Sequence, residues 1–257
     1  MAVDTLFGNF ESFFFVFVRV VSMLVVAPFF GGSNLPAQLK IGLALVISII
    51  VTPTVGIIPL PANGIDMAIG ILREVGIGVA IGFTSRLVFS AFEMAGQMTG
   101  MQMGFAVANV LDPQTNSQLS VVAQFYNLLA ILLFFTLNIH LVFLSAIKES
   151  FVHIAPYTFS LNKVVVEGLF LMAGNIFAIA VKLAAPVMVA ILLANIAMGV
   201  LARTVPQLNI FVVGFPITIA LGLVIIGMTL PFAMELIEKV YGELTFSVID
   251  LARSGVR

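Results

Sequence analysis

The sequence predicts an all-α protein: a polytopic membrane protein of kinked and broken helices. Three observations predict it. Apolar residues make up 61% of the chain and charged residues 9%, whereas a soluble domain carries roughly 25% charged residues, so there is too little charge to cover a soluble surface. The apolar residues gather into six segments with short, turn-like connections, such as GGSNLPAQ at 31–38, PLPANG at 59–64 and TVPQLN at 204–209. Finally, Pro28, Pro53, Pro186, Pro206 and Pro216 punctuate these runs, and each removes a backbone donor and kinks or ends a helix. In lipid the freed carbonyls need partners, which neighbouring helices of a larger assembly would supply.

The segments follow in order. Residues 10–30 contain Arg19, and the N-terminal MAVDTLFGNFESFFFVFV has no basic n-region, so the first segment is expected to be retained. Residues 41–60 contain Pro53, and 67–92 carry Arg73, Glu74 and Arg86. Residues 119–147 carry no charge, 164–200 hold Glu167, Lys182 and Pro186, and 209–234 hold Pro216. A spanning helix needs about 20 apolar residues; the second, fourth and sixth segments meet this cleanly, while the others carry internal charge. The tail from Glu235 reads as amphipathic. If all six cross, the Lys and Arg bias places both termini in the cytoplasm. With no internal repeat and no low-complexity linker, residues 1–257 read as one domain.

Several functions are excluded or disfavoured. A net charge of −1 disfavours nucleic-acid binding. No cysteine and two histidines, His140 and His153, leave little for thiol or metal chemistry. No nucleophile elbow, zinc-protease helix, phosphate loop or dinucleotide fingerprint is present. No catalytic apparatus and no cofactor is expected.

The most informative stretch is 93–125, EMAGQMTGMQMGFAVANVLDPQTNSQLSVVAQF. Gly96, Gly100 and Gly104 recur every four residues and would line one stripe of a helix, letting another backbone approach closely. The stripe runs into Asn109, Asp112, Pro113, Gln114, Thr115, Asn116, Ser117 and Gln118, which should not be helical. A packed helix breaking into a polar loop between membrane-type segments suggests a loop lining a cavity or pore. Met94, Met98, Met101 and Met103 lie alongside; they read either as a deformable seal, with Met98, Met101 and Met103 facing a lumen, or as ordinary apolar packing. Arg73, Glu74, Arg86 and Glu93 read either as an ion path or as polar contacts to neighbouring subunits. Arg203, with Gln207, stands at a turn and is expected to pair with a carboxylate or with backbone carbonyls at the hairpin tip, the alternative being an exposed loop cation. His140 reads as a pH sensor or as a hydrogen-bonded residue at a helix irregularity.

These residues resemble those of the FliR family, the flagellar export-gate proteins whose virulence-system counterpart is SctT. The central match is Gly96-Gln97, Gly100, Gln102-Met103-Gly104-Phe105, Asp112-Pro113 and Gln124-Phe125. The downstream match runs through Pro186, Asn195, Gly199, Arg203, Pro206-Gln207-Leu208-Asn209, Gly214-Phe215-Pro216 and Gly222. In length and hydropathy the resemblance covers essentially the whole chain. One departure is that the family often places one or two glycines before the histidine of the fourth segment, where Asn138-Ile139 stand here.

The resemblance implies a subunit of the type III export apparatus in the bacterial inner membrane, at the flagellar basal body. It would be one wedge of a helical channel, a single copy joined to FliP and FliQ type subunits, with FlhB outside and unfolded export cargo passing through. Residues 1–160 would resemble FliP, with a plug loop at 105–118, and 161–257 would form a FliQ-like hairpin and tail. The plug residues would be Phe105, Val107, Asn109, Val110, Leu111, Asp112, Pro113 and Gln114. The competing reading is a secondary transporter for a small solute, against which stands the absence of an inverted repeat.

Overall fold

The protein is described by a computed structural model covering residues 2–31, 35–56, 58, 63–105, 120–154, 158–159, 163–205, 207 and 209–254, with side chains described for those within 10–209 and 212–243. Among these residues the regular structure is helical. Helix α1 is Ala2–Val26, the single turn α2 is Pro28–Gly31 and α3 is Ala37–Val55. Helix α4 is Gly64–Gln102, α5 is Val121–Thr136 and α6 is Ile139–His153. The long α7 is Lys163–Thr204 and α8 is Ile210–Ser254.

The helices divide into two compact units. Unit 1 holds residues 1–87, 138–173 and 240–257; unit 2 holds 88–137 and 174–239. Helices α4, α7 and α8 each contribute to both.

In unit 1, α1 packs against α3, and α3 against α6. Helix α1 buries Phe15, Val16, Val20, Met23 and Leu24, the i, i+1, i+4, i+5 spacing of one helical face. Arg19 lies in the middle of that face and is itself buried. In unit 2, α7 buries Ala180, Leu183, Ala184, Val187 and Ile191 along a single stripe.

Chain breaks follow local chemistry. The start of α5 is capped by Ser120, whose hydroxyl oxygen accepts from the Ala123 amide at 3.1 Å. A short break separates α5 from α6. It holds Asn138, in the left-handed region at φ 54°, ψ 26°. Glycine adopts that conformation most cheaply and asparagine next, so Asn138 suits this break in the chain.

Of the two outcomes expected at the prolines, a kink or an end, Pro53, Pro186 and Pro216 do not end their helices: they lie inside α3, α7 and α8, which continue through them. The tail beyond Glu235 continues α8, which runs on to Ser254. Four helices are long and apolar enough to cross a membrane, or five spans if the α5–α6 pair counts as one. Six crossings, on which the placement of the termini rested, are not reproduced among the described residues.

Candidate gate root and buried ion pair

Unit 2 contains the glycine-bearing end of α4. A β-carbon at Gly96 would stand 2.6 Å from the Cα of Ala123 and 2.9 Å from the Tyr126 Cβ. At Gly100 it would stand 2.7 Å from the Ser120 hydroxyl and 3.2 Å from the Val122 Cβ. The first turns of α5 therefore lie directly on the Gly96–Gly100 face, closer than any side chain would permit.

Gly104 behaves differently from its two predecessors. Helix α4 ends at Gln102, and Gly104 has φ +92°, the positive-φ stop that commonly closes a helix. Its amide donates to the Met101 carbonyl at 3.1 Å, and the Met103 amide to Thr99 at 2.9 Å. A β-carbon on Gly104 would meet the Phe215 ring at 2.5 Å. The expected stripe of three is thus a packing pair followed by a stop.

Helix α8 clasps this stop. The Thr218 hydroxyl lies 3.1 Å from the carbonyl of Met103 and 3.1 Å from that of Phe215. Met103 is fully buried, and a β-carbon on Gly222 would come within 2.7 Å of its terminal methyl. Beside the clasp lies a cavity of about 220 Å³, lined by Gln102, Gly104 and Phe215 together with Asn195, Met198 and Gly214. Residues some hundred positions apart, among them Gln102, Gly104, Asn195, Gly214 and Phe215 quoted above for the resemblance, thus meet at the end of α4.

The remaining plug and seal candidates are placed only in part. Phe105 is half-buried. Val107, Asn109, Val110, Leu111, Asp112, Pro113 and Gln114 lie outside the described residues. Met98 is half-buried and Met101 exposed, whereas Met103 is buried against Gly222 inside unit 2.

The polar residues also separate. Arg73 and Glu93 are half-buried; Arg86, Arg203 and Gln207 are exposed. Glu74, expected at an inter-subunit contact, is fully buried inside unit 1. The Arg19 Nε donates to its Oε2 at 2.6 Å. Arg19 Nη1 donates to the Ser150 hydroxyl at 2.9 Å, and that hydroxyl donates on to Ile147 O at 2.6 Å. The guanidinium carbon lies 3.6 Å from the Phe151 ring centroid, a cation–π contact. One ion pair therefore joins α1, α4 and α6 through an apolar interior.

Two further glycines, missed in the sequence, seat α1 on α4 around this pair. A β-carbon at Gly78 would collide with the Ser22 hydroxyl and the Arg19 carbonyl, and one at Gly82 would stand 2.6 Å from the Met23 carbonyl. The signals were available. Arg19 and Glu74 are opposite charges in two apolar segments, and charges at that depth pair with one another; Gly78 and Gly82 repeat the four-residue spacing of Gly96 and Gly100.

Comparison with known proteins gives the family. Residues 10–244 match the profile of the family described as bacterial export proteins, family 1. The chain is similar to proteins named flagellar biosynthetic protein FliR. It is 35% identical to that of Pectobacterium carotovorum subsp. carotovorum over 246 residues, covering 94% of this chain and 92% of the relative. It is 32% identical to that of Escherichia coli (strain K12), covering 93% and 92%, and 32% identical to that of Bacillus subtilis (strain 168), covering 93% of each. With an all-helical fold, several apolar spans and a match along nearly its whole length, the chain belongs to the bacterial export proteins of family 1, the family of the FliR proteins.

Proposed function

We propose that the chain is a non-enzymatic subunit of the flagellar type III protein-export gate in the bacterial inner membrane, and that residues 105–118 form its plug. It would act as one copy in a complex with FliP and FliQ type subunits, with FlhB associated, and export cargo would cross where the plug yields. The observation that carries this reading is the clasp on Gly104. A loop that must hold back ions needs a rigid root, and this loop leaves α4 at a glycine wedged against Phe215, with Thr218 on the preceding carbonyl.

The polar run after Leu111 and the break at Pro113 disfavour a continuing helix. Irregular backbone at membrane depth is tolerated where it is buried in protein or faces water, and a central lumen supplies both. Phe105, Val107, Val110 and Leu111 would supply the apolar part of the seal.

The test is deletion of residues 110–116 in the assembled complex, with small-ion leak and flagellar export measured together. Leak is expected to rise. Unchanged permeability in a complex that still assembles would remove the plug assignment, and loss of this chain without loss of export would remove the gate reading altogether.

A further inference from the structure

A second concavity, in unit 1, owes nothing to the gate. Between α3 and α6 opens a cleft of about 270 Å³. Its apolar walls include Ile50, Val51 and Leu144, and its polar members are Thr54, Ser145 and Lys148. The two hydroxyls are turned onto their own helices: Thr54 donates to Val51 O at 2.7 Å and Ser145 to Val142 O at 2.8 Å. The acid next to Lys148 in sequence, Glu149, lies 3.3 Å from His153. Lys148 itself is exposed and is the charged member of the lining.

The surroundings point to lipid. Helix α3 has 19 residues, about 28 Å of helix, close to the roughly 30 Å hydrocarbon thickness of a bilayer. It is an apolar candidate span with little of its window buried, and Val46, Ile49 and Ile50 stand out from it. A cleft of about 270 Å³ has room for part of a single hydrocarbon chain.

We propose that this cleft binds an anionic phospholipid, with one acyl chain along Ile50, Val51 and Leu144 and the phosphate headgroup held by Lys148. A cation at the rim of an apolar cleft between spanning helices is the arrangement that retains anionic headgroups. The site rests on α3 lying in the bilayer and not on the plug.

The test uses the full chain, purified through a tag in mild detergent with whatever subunits accompany it. Retained phosphatidylglycerol and phosphatidylethanolamine are quantified against the bulk membrane. Wild type and Lys148→Arg should retain phosphatidylglycerol above its bulk share. Lys148→Glu should lower that enrichment about fivefold, the effect of roughly one lysine at an anionic surface. Ile50→Trp, which fills the wall without touching the charge, should displace both lipids. Ile50 and Lys148 are exposed, so these variants leave the core intact. Should Lys148→Glu fail to purify, a photoreactive phosphatidylglycerol must label the 47–54 and 144–148 peptides of the wild type. No enrichment in wild type, equal enrichment in Lys148→Glu, or a cross-link placing another subunit against Ile50 and Lys148 would overturn the site.

Discussion

Removing Glu74 isolates a charge in the interior of unit 1. Arg19 is 1% exposed and Glu74 0%, so the guanidinium cannot reach water when its partner goes. What remains to it is one neutral hydrogen bond to Ser150 and the face of Phe151. Breaking a buried pair by deleting one partner destabilises by about 3–5 kcal/mol. Replacing both partners by apolar residues of similar size is often neutral or stabilising, because the desolvation penalty disappears with the charges. Glu74→Leu alone should therefore be severe, and Arg19→Met with Glu74→Leu should recover most of the loss.

The assay is thermal unfolding of the detergent-purified protein, with its partners where they co-purify. At 2–4 °C per kcal/mol for a chain approaching this size, the single variant should fall by roughly 6–20 °C, and the double variant should lie within a few degrees of wild type. Because the residues are in contact, the cycle should be strongly non-additive. A Glu74→Leu protein that melts with wild type, or a double variant as unstable as the two singles summed, would refute the idea that this pair fastens α1, α4 and α6.

Other substitutions probe unit 2. Gly96→Ala should destabilise more than Gly100→Ala, since the first meets the backbone of Ala123 while the second meets the Ser120 side chain; equal melting temperatures would count against the close approach. Gly104→Ala should lose about 1–2 kcal/mol to its positive φ alone, with a further loss from the Phe215 ring that Phe215→Ala relieves. If Phe215→Ala relieves nothing, the ring is not the obstacle.

The membrane class was legible in composition, because burying 61% apolar residues within a chain of this size leaves no polar remainder to face water. The Gly96–Gly100 approach was legible from spacing alone. Gly104 was not, since the same four-residue interval fits both a packing glycine and a helix stop, and only the backbone angle separates them. That Pro53, Pro186 and Pro216 do not end their helices was not legible, because the cost of a proline presumes an isolated helix and these helices are long enough to continue on either side. Glu74 was assigned outward because its own segment, which also carries Arg73 and Arg86, does not reveal which way it points. Its partner lies 55 residues away, a distance that no periodicity within one helix encodes.

The exposed face of α7 bears on whether lipid alone can surround the chain. The helix has 42 residues, about 63 Å at 1.5 Å per residue, roughly twice the hydrocarbon thickness of a bilayer. Large apolar residues stand exposed from Val164 through Phe170, Leu171 and Phe177 to Leu192, Ile196 and Leu201, about 56 Å along the helix. Lys182 lies exposed between the two groups, where hydrocarbon would penalise it. A bilayer placed over either group leaves the other in water, and one centred on α7 submerges the lysine. Protein must cover what lipid does not, and exposed apolar patches of this extent mark interaction surfaces. The chain purified through its own tag is therefore expected to emerge in native mass spectrometry as one copy bound to unlike, smaller apolar subunits. A stable monomer or a homo-oligomer would defeat that expectation, because neither supplies an unlike surface for the second half of this helix.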